Sequence, residues 1–297
     1  MRVVLLGSTG FLGGHIAAAL AAAPVVDEVV AVGRDELDLE SAADHSVAAL
    51  FERCRPDAVI NASGRTSGDL DALLSANAVA VERLVESLRR VVPAVRYVHL
   101  GSAAEYGPGA AETLTAEASV PAPSSPYGEA KLAGTQAVLH AAEAGLDAVV
   151  LRVFNPVGWG AGPATMPAAV ARKVQSAIRA GAASIETGPL DAYRDFVDAD
   201  DVADAVVRSA VAEGALSGAV LNVGSGQGTQ ARDLVELLVK VSGFEGVIDE
   251  AREGSARSGG VSWQVGDVGR ARAVLGWRPR RSLSTSVEAL WDWVASG

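Results

Sequence analysis

Cysteine is nearly absent from this 297-residue chain. Cys54 stands alone, so neither an intrachain disulfide framework nor a cysteine-rich metal site can form. The four histidines, His15, His45, His99 and His140, are scattered without ligand-like spacing. Long apolar runs are missing too. The longest, 16–26, contains Pro24 and falls well short of a membrane span, and the run at 3–6 is too short for a signal sequence. Positive charge is in deficit: 25 basic residues against 36 acidic ones leave a formal net charge of −11. That argues against a nucleic acid or an anionic membrane as the main partner. Any phosphate site must then be built locally, against the field of the whole chain. The expected compartment is the cytoplasm.

What is present is a folded composition, 49% hydrophobic and 21% charged, with length enough for a sizeable core. Short apolar runs at 3–6, 29–32, 58–60, 97–100 and 148–153 read as buried parallel strands. Helical patterns at about 11–22, 43–53, 69–91 and 126–144 separate them. Strand and helix alternating at this spacing predict an α/β fold with a doubly wound parallel sheet. Beyond 155 the pattern loosens. Helices are expected at about 166–180, 201–212, 230–242 and 284–295, a strand at 220–223, and a loop over the Gly-, Ser- and Arg-rich stretch 250–262. The expected division is a dinucleotide-binding core over 1–155 and a smaller substrate lobe over 156–297, with some segments returning to the core.

Three local signals carry chemistry. The first is Gly7-Ser8-Thr9-Gly10-Phe11-Leu12-Gly13, after a strand and opening a helix. Glycines at this spacing let the backbone turn tightly and approach a pyrophosphate, and the helix N-terminus supplies N–H groups and partial positive charge. Backbone dipoles thus solve the problem set by an acidic chain. The second strand then ends in Arg34 with no acid before Asp35. An arginine there suits a 2′-phosphate, so NADP is the expected cofactor, with NAD the lesser alternative. Asp38 and Leu39 are placed beside the adenine, and Asn61, Ala62 and Ser63 along the nucleotide cleft.

The second signal is Tyr127-Gly128-Glu129-Ala130-Lys131. A tyrosine and a lysine four apart share one helix face, and Ser125-Pro126 supplies an N-cap and first-turn proline. With only four tyrosines and three lysines in the chain, about 0.04 such pairs would arise by chance. A lysine ammonium nearby favours phenolate and lowers the phenol's pKa. The third is Ser102, closing the fourth strand, where a hydroxyl can bond the carbonyl oxygen that Tyr127 protonates. The plainer alternatives are a glycine-rich turn without ligand, two exposed residues at helical spacing and a strand-terminal turn serine.

Together these residues resemble the extended short-chain dehydrogenases/reductases, in the branch of nucleotide-sugar epimerases, dehydratases and reductases. The glycine motif matches at Gly7, Gly10 and Gly13, the serine four residues before a Tyr-Gly pair at Ser102, and Tyr-x-x-x-Lys at Tyr127 and Lys131. Arg152, Phe154, Asn155, Pro156 and Gly158 match a further motif, and Tyr193 through Phe196 with Asp201 and Ala203 another. A late Arg-Pro-Gly-Asp element survives only partly, from Arg257 to Gly260. The resemblance implies a Rossmann sheet, a nucleotide-diphosphate sugar substrate, and a homodimer built from the helices at about 69–91 and 126–144. It implies catalysis by Ser102, Tyr127 and Lys131, a sugar or phosphate contact from Asn155, and a diphosphate grip from Arg194 and Arg257. Ala72, Leu73, Ala76, Ala80, Leu84, Leu88, Leu132, Ala133 and Ala137 are the small and apolar residues expected at the dimer face.

The dehydratases of this branch place an acid pair directly after the serine or threonine. Here those positions are Ala103 and Ala104, and Glu105 comes one step late. The reaction expected is NADPH-dependent reduction of the 4-keto group of a nucleotide-activated 4-keto-6-deoxyhexose. A 4-epimerase with tightly bound NAD is the alternative, and a non-catalytic NADP-sensing regulator the third reading.

Overall fold

The computed structural model describes residues 1–251 and 261–297. In chain order the first half runs β1 (Arg2–Leu6), α1 (Phe11–Ala21), β2 (Glu28–Val32), α2 (Asp44–Cys54), β3 (Ala58–Asn61), α3 (Leu70–Leu74), α4 (Ala80–Val91), β4 (Arg96–Ser102), α5 (Pro126–Glu143) and β5 (Asp147–Val153). The second half adds β6 (Asn155–Val157), α6 (Met166–Ala180), β7 (Ser184–Thr187), β8 (Tyr193–Asp198), α7 (Ala199–Val211), β9 (Ala219–Val223), β10 (Gly228–Gln230), α8 (Ala231–Ser242), β11 (Val247–Glu250), β12 (Trp263–Gln264), α9 (Gly269–Leu275) and α10 (Leu283–Ser296).

Six strands form one parallel sheet in the order β2-β1-β3-β4-β5-β9. All four residues of β3 are buried, as a strand covered on both faces requires. One face packs Ile16 and Leu20 of α1 against Val202 and Val206 of α7, with Trp277 beside them. The other packs Phe51 of α2, Leu84 and Leu88 of α4 and Val138 of α5. The sheet is therefore doubly wound, as expected. The second lobe has its own core, in which Val174 of α6, Leu234 and Leu238 of α8 and Leu290 of α10 meet. Its β8 carries β10 on one side and β12 on the other, and also pairs β6. β11 pairs β7 separately.

Several details depart from the pattern read in the sequence. The helix expected over 69–91 is interrupted by a π-turn, Ser75–Val79, between α3 and α4. The side chain of Asn77 donates there to Leu73 O at 2.9 Å and to Arg65 O at 2.9 Å. The stretch expected as loop from 250 begins instead with the last residue of β11. The dimer face also needs correction. Leu73, Ala76, Ala80, Leu84 and Leu88 are buried within the single chain, because α4 packs Leu84 and Leu88 onto the sheet while α3, the π-turn and α4 all pack on α5. They are not available to a second subunit.

Candidate active site

The turn between β1 and α1 shows why three glycines are needed. Gly7 has φ +76°, and a Cβ on it would lie 2.6 Å from Ser63 N. A Cβ on Gly13 would lie 2.0 Å from Gly7 O, so α1 begins hard against the turn that precedes it. The helix starts at Gly10 with no side-chain cap and no acid in its first turn. No side chain in the first turn therefore offsets its N-terminal dipole. The cleft above the turn has a volume of about 300 Å³ and is lined by Gly7, Thr9, Gly10, Arg34, Asp38, Leu39, Ala62 and Ser63. Asn61 lies beneath it: its side chain is 1% exposed, accepts from Ser63 N–H at 3.1 Å and donates to the Tyr97 hydroxyl at 3.2 Å. Arg34 sits on the rim and reaches Glu40 at 3.2 Å.

The three candidate catalytic residues lie where β4 ends and α5 begins. Ser102 closes β4, and its hydroxyl accepts from Ala104 N–H at 3.2 Å, capping a 3-10 turn over Ala103–Glu105. Ser125 caps α5, accepting from Gly128 N–H at 3.2 Å. A Cβ on Gly128 would come within 2.5 Å of Ala104 O. The first turn of α5, which carries half-buried Tyr127, therefore packs directly on the turn that follows Ser102. One turn later, buried Lys131 donates to Leu100 O at 2.5 Å. Burial lowers the Lys131 pKa from the ordinary 10.5 to about 8, with the Glu105 charge opposing the drop.

Beneath this trio lies a charged network that the sequence did not reveal. Glu105 is 0% exposed. It accepts from Ser102 N–H at 2.8 Å, from the Thr135 hydroxyl at 3.0 Å and from Arg152 Nε at 2.7 Å. The Arg152 guanidinium lies 4.4 Å from the centre of the Tyr106 ring, whose hydroxyl donates to Asn222 Oδ1 at 2.8 Å. Burial pushes the Glu105 pKa up, and Arg152 pulls against it. An arginine inside the otherwise apolar run 148–153 was the available signal, since a buried guanidinium requires an anion.

The second lobe brings Asn155 and β8 to the open side of the sheet. Asn155 Nδ2 donates to Asp195 O at 3.0 Å. Arg194 is half-buried, donates to Val261 O at 2.8 Å, and has its pKa lowered by burial. Asp195, fully buried, accepts from Ser225 N–H at 2.5 Å, Gly226 N–H at 3.0 Å and Gly266 N–H at 3.1 Å. Burial raises its pKa, against those hydrogen bonds. The expected partner of Arg194, Arg257, lies outside the described residues. Trp159 in the loop after β6 stacks on His15 of α1, ring centres 4.0 Å apart, and so ties the lobe to the glycine helix.

Residues 3–224 match the NAD dependent epimerase/dehydratase family. The chain belongs to that family. Two relatives are named for 6-deoxy sugars. The chain is 39% identical over 304 residues to dTDP-6-deoxy-L-talose 4-dehydrogenase (NAD(P)(+)) of Kitasatospora kifunensis, covering 98% of this chain and 94% of that one. It is 32% identical over 306 residues to GDP-6-deoxy-D-mannose reductase of Pseudomonas aeruginosa, covering 98% and 97%. Among solved structures, RMD from Pseudomonas aeruginosa complexed with NADPH superposes with a TM-score of 0.86 at 29% identity, over 99% of this chain and 97% of that one. The extended Rossmann fold and an oxidoreductase of the epimerase/dehydratase type follow from these likenesses.

Proposed function

We propose that the protein reduces the 4-keto group of a nucleotide-activated 4-keto-6-deoxyhexose with NADPH, and catalyses the reverse oxidation of the same carbon. The observation that carries this is the fate of the acids around Ser102. Dehydration needs a carboxyl beside the serine to act on a leaving hydroxyl. Ala103 and Ala104 have none, and Glu105 is turned inward and occupied by Ser102 N–H, Thr135 and Arg152. Hydride transfer at a carbonyl is what remains. The two curated relatives, one named a 4-dehydrogenase and one a reductase of nucleotide 6-deoxyhexoses, support the same substrate class.

The residues of the cleft fit a dinucleotide. Gly7 and Gly13 leave no room for a Cβ, and α1 has neither a capping side chain nor an acid in its first turn. Gly10 and the backbone of α1 would hold the pyrophosphate, and Arg34 a 2′-phosphate. When bound, the nicotinamide supplies or accepts the hydride. Tyr127 delivers the proton to the carbonyl oxygen, and the Ser102 hydroxyl donates a hydrogen bond to the same oxygen. Lys131 binds the ribose, and its charge draws the Tyr127 phenol toward phenolate in the oxidising direction. Asn155 and Arg194 face the sugar nucleotide, and Arg257 completes its diphosphate grip. A homodimer using the half-buried Ala72, Leu132, Ala133 and Ala137 belongs to the same proposal, as does a cytoplasmic location. Sedimentation as a dimer at micromolar concentration is the expected result.

The test is to mix purified protein with NADPH and either dTDP- or GDP-linked 4-keto-6-deoxyhexose and follow loss of reduced nicotinamide. Stoichiometric oxidation with formation of a 4-hydroxy sugar is expected. Interconversion of 4-epimers with no net cofactor consumption, on retained NAD, would establish the epimerase reading instead.

A further inference from the structure

Two loops meet at the adenosine end of the cleft, and one carboxylate joins them. Asp38 Oδ1 accepts from Glu40 N–H at 3.1 Å and so fixes the backbone of Glu40 after β2. The Glu40 side chain then stands between two guanidiniums, 3.2 Å from Arg34 and 3.3 Å from Arg65. Arg65 comes from the loop after β3, and that loop is firmly held. Asn77 in the π-turn accepts from Arg65 N–H at 3.2 Å and donates to Arg65 O at 2.9 Å. Gly64, at φ +151°, lets the chain pass: a Cβ there would lie 2.6 Å from Asn77 Oδ1. The backbone of Arg65 is thus fixed by contacts that do not involve its own side chain.

The side-chain contacts are weaker. Charge-assisted N–H···O bonds ordinarily close to about 2.7–2.9 Å, and both arginines stay beyond that range from Glu40. Arg65 Nε is buried and has no acceptor among the described residues. Two arginines thus share one loosely held carboxylate, in a chain whose net charge is −11. Glu40 and Ser63, Arg65's near neighbour, both line the cleft.

Resting on the reading of this cleft as a dinucleotide site, we infer that Glu40 and Arg65 set its preference for a 2′-phosphate. Arg65 is the second cation of a two-arginine clamp, and Glu40 is the anion that occupies the clamp when no 2′-phosphate is there. A phosphate offers oxygens to both forks at once and carries more charge than the carboxylate, so it takes the arginines over. Glu40 is then left close to a like charge. It therefore moderates the preference for the phosphorylated cofactor instead of strengthening it. This places cofactor choice on three side chains from two loops, of which Arg34 is only one.

The probes are 2′,5′-ADP and 5′-AMP, which differ in the 2′-phosphate alone and do not require turnover. Their affinities are measured by calorimetry for the full chain, Glu40→Gln, Arg65→Gln and Arg65→Lys. Glu40→Gln is expected to tighten 2′,5′-ADP about 2- to 5-fold, the worth of a partly exposed like-charge contact removed. Arg65→Gln is expected to weaken it about 10-fold or more, and Arg65→Lys to recover part of that loss as a point charge. In each case 5′-AMP should move less than about 2-fold. A Glu40→Gln variant with an unchanged ratio of the two affinities would overturn the inference. So would an Arg65→Gln variant that weakens both probes equally, since that marks a structural role. Failure of the unaltered protein to bind either probe would overturn the dinucleotide reading itself, and the inference with it.

Discussion

Replacing Glu105 by alanine removes an anion that three donors depend on. Arg152, with a side chain 4% exposed, loses its only ion-pair partner among the described residues, at 2.7 Å. Ser102 N–H and the Thr135 hydroxyl lose their acceptor at the same time. Breaking a buried pair from one side costs about 3–5 kcal/mol, mainly because the surviving charge is left without water or counterion. For a chain of 297 residues the unfolding entropy is about 0.6 kcal/mol/K, from about 2.1 cal/mol/K per residue. The melting temperature should then fall by about 5–8 °C. Circular dichroism at neutral pH measures it. The control is Glu105→Ala combined with Arg152→Met, which removes both charges. If desolvated charge is the cause, the double variant should melt above the Glu105 single variant, because an apolar pair can replace a buried ion pair at little cost. A Tm loss below about 2 °C for the single variant, or strictly additive losses for the pair, would refute the reasoning.

Tyr127→Phe keeps the ring and removes the proton, so turnover should drop by about 10²–10⁴-fold with NADPH affinity retained; Ser102→Ala should cost less, since it removes one hydrogen bond. Lys131 titrates at about 8, so a step that uses its ammonium should run at a constant rate below that pH and fall above it, read from the kcat profile. The sign for stability is opposite. The folded chain holds this proton less tightly than the unfolded one, so Lys131 lowers stability below pH 8 and lowers it progressively less as the pH approaches 10.5. Gly13→Ala would put a methyl group 2.0 Å from Gly7 O; dinucleotide binding by calorimetry should be lost, and normal binding would show that the turn can open. Arg34→Ala should weaken NADP about 10- to 150-fold and leave NAD nearly unchanged, because a hydrogen bond to a charged group is worth about 1.5–3 kcal/mol; an equal loss for both would remove Arg34 from the 2′-phosphate.

The central sheet was readable because its inner strands are buried on both faces and carry almost nothing but apolar residues, as at 3–6 and 58–60. The strands of the second lobe were not. β8 has Asp195 and Asp198 at buried positions, which breaks any alternation, and β6 contains Pro156 within three residues. The glycine turn and the Tyr127–Lys131 pair were legible because each is local, held within one turn or one helix. Glu105 was legible only as an acid out of place. What gives it meaning is Arg152, 47 residues further on and adjacent only across the pairing of β4 with β5. The meeting of Glu40 with Arg65 depends likewise on β2 and β3 flanking β1, a fact of topology rather than of spacing. Asn61 was expected along the cleft because it ends a strand at the right place. Its burial under Ser63 follows from the Tyr97 hydroxyl lying within reach, on the neighbouring strand.

The pairing of β5 with β9 has a consequence for how the chain is made. The sixth strand of the sheet is not synthesised until residue 223, after β6, α6, β7, β8 and α7 have emerged. Until then β5, seven residues long and almost wholly buried in the finished protein, has an open edge of unpaired N–H and C=O groups. A nascent chain held at that stage, or a fragment cut near residue 155, exposes a flat apolar template on which a second such chain can add. The segment carrying β9 must therefore arrive before the half that holds β1 to β5 is safe from its own kind.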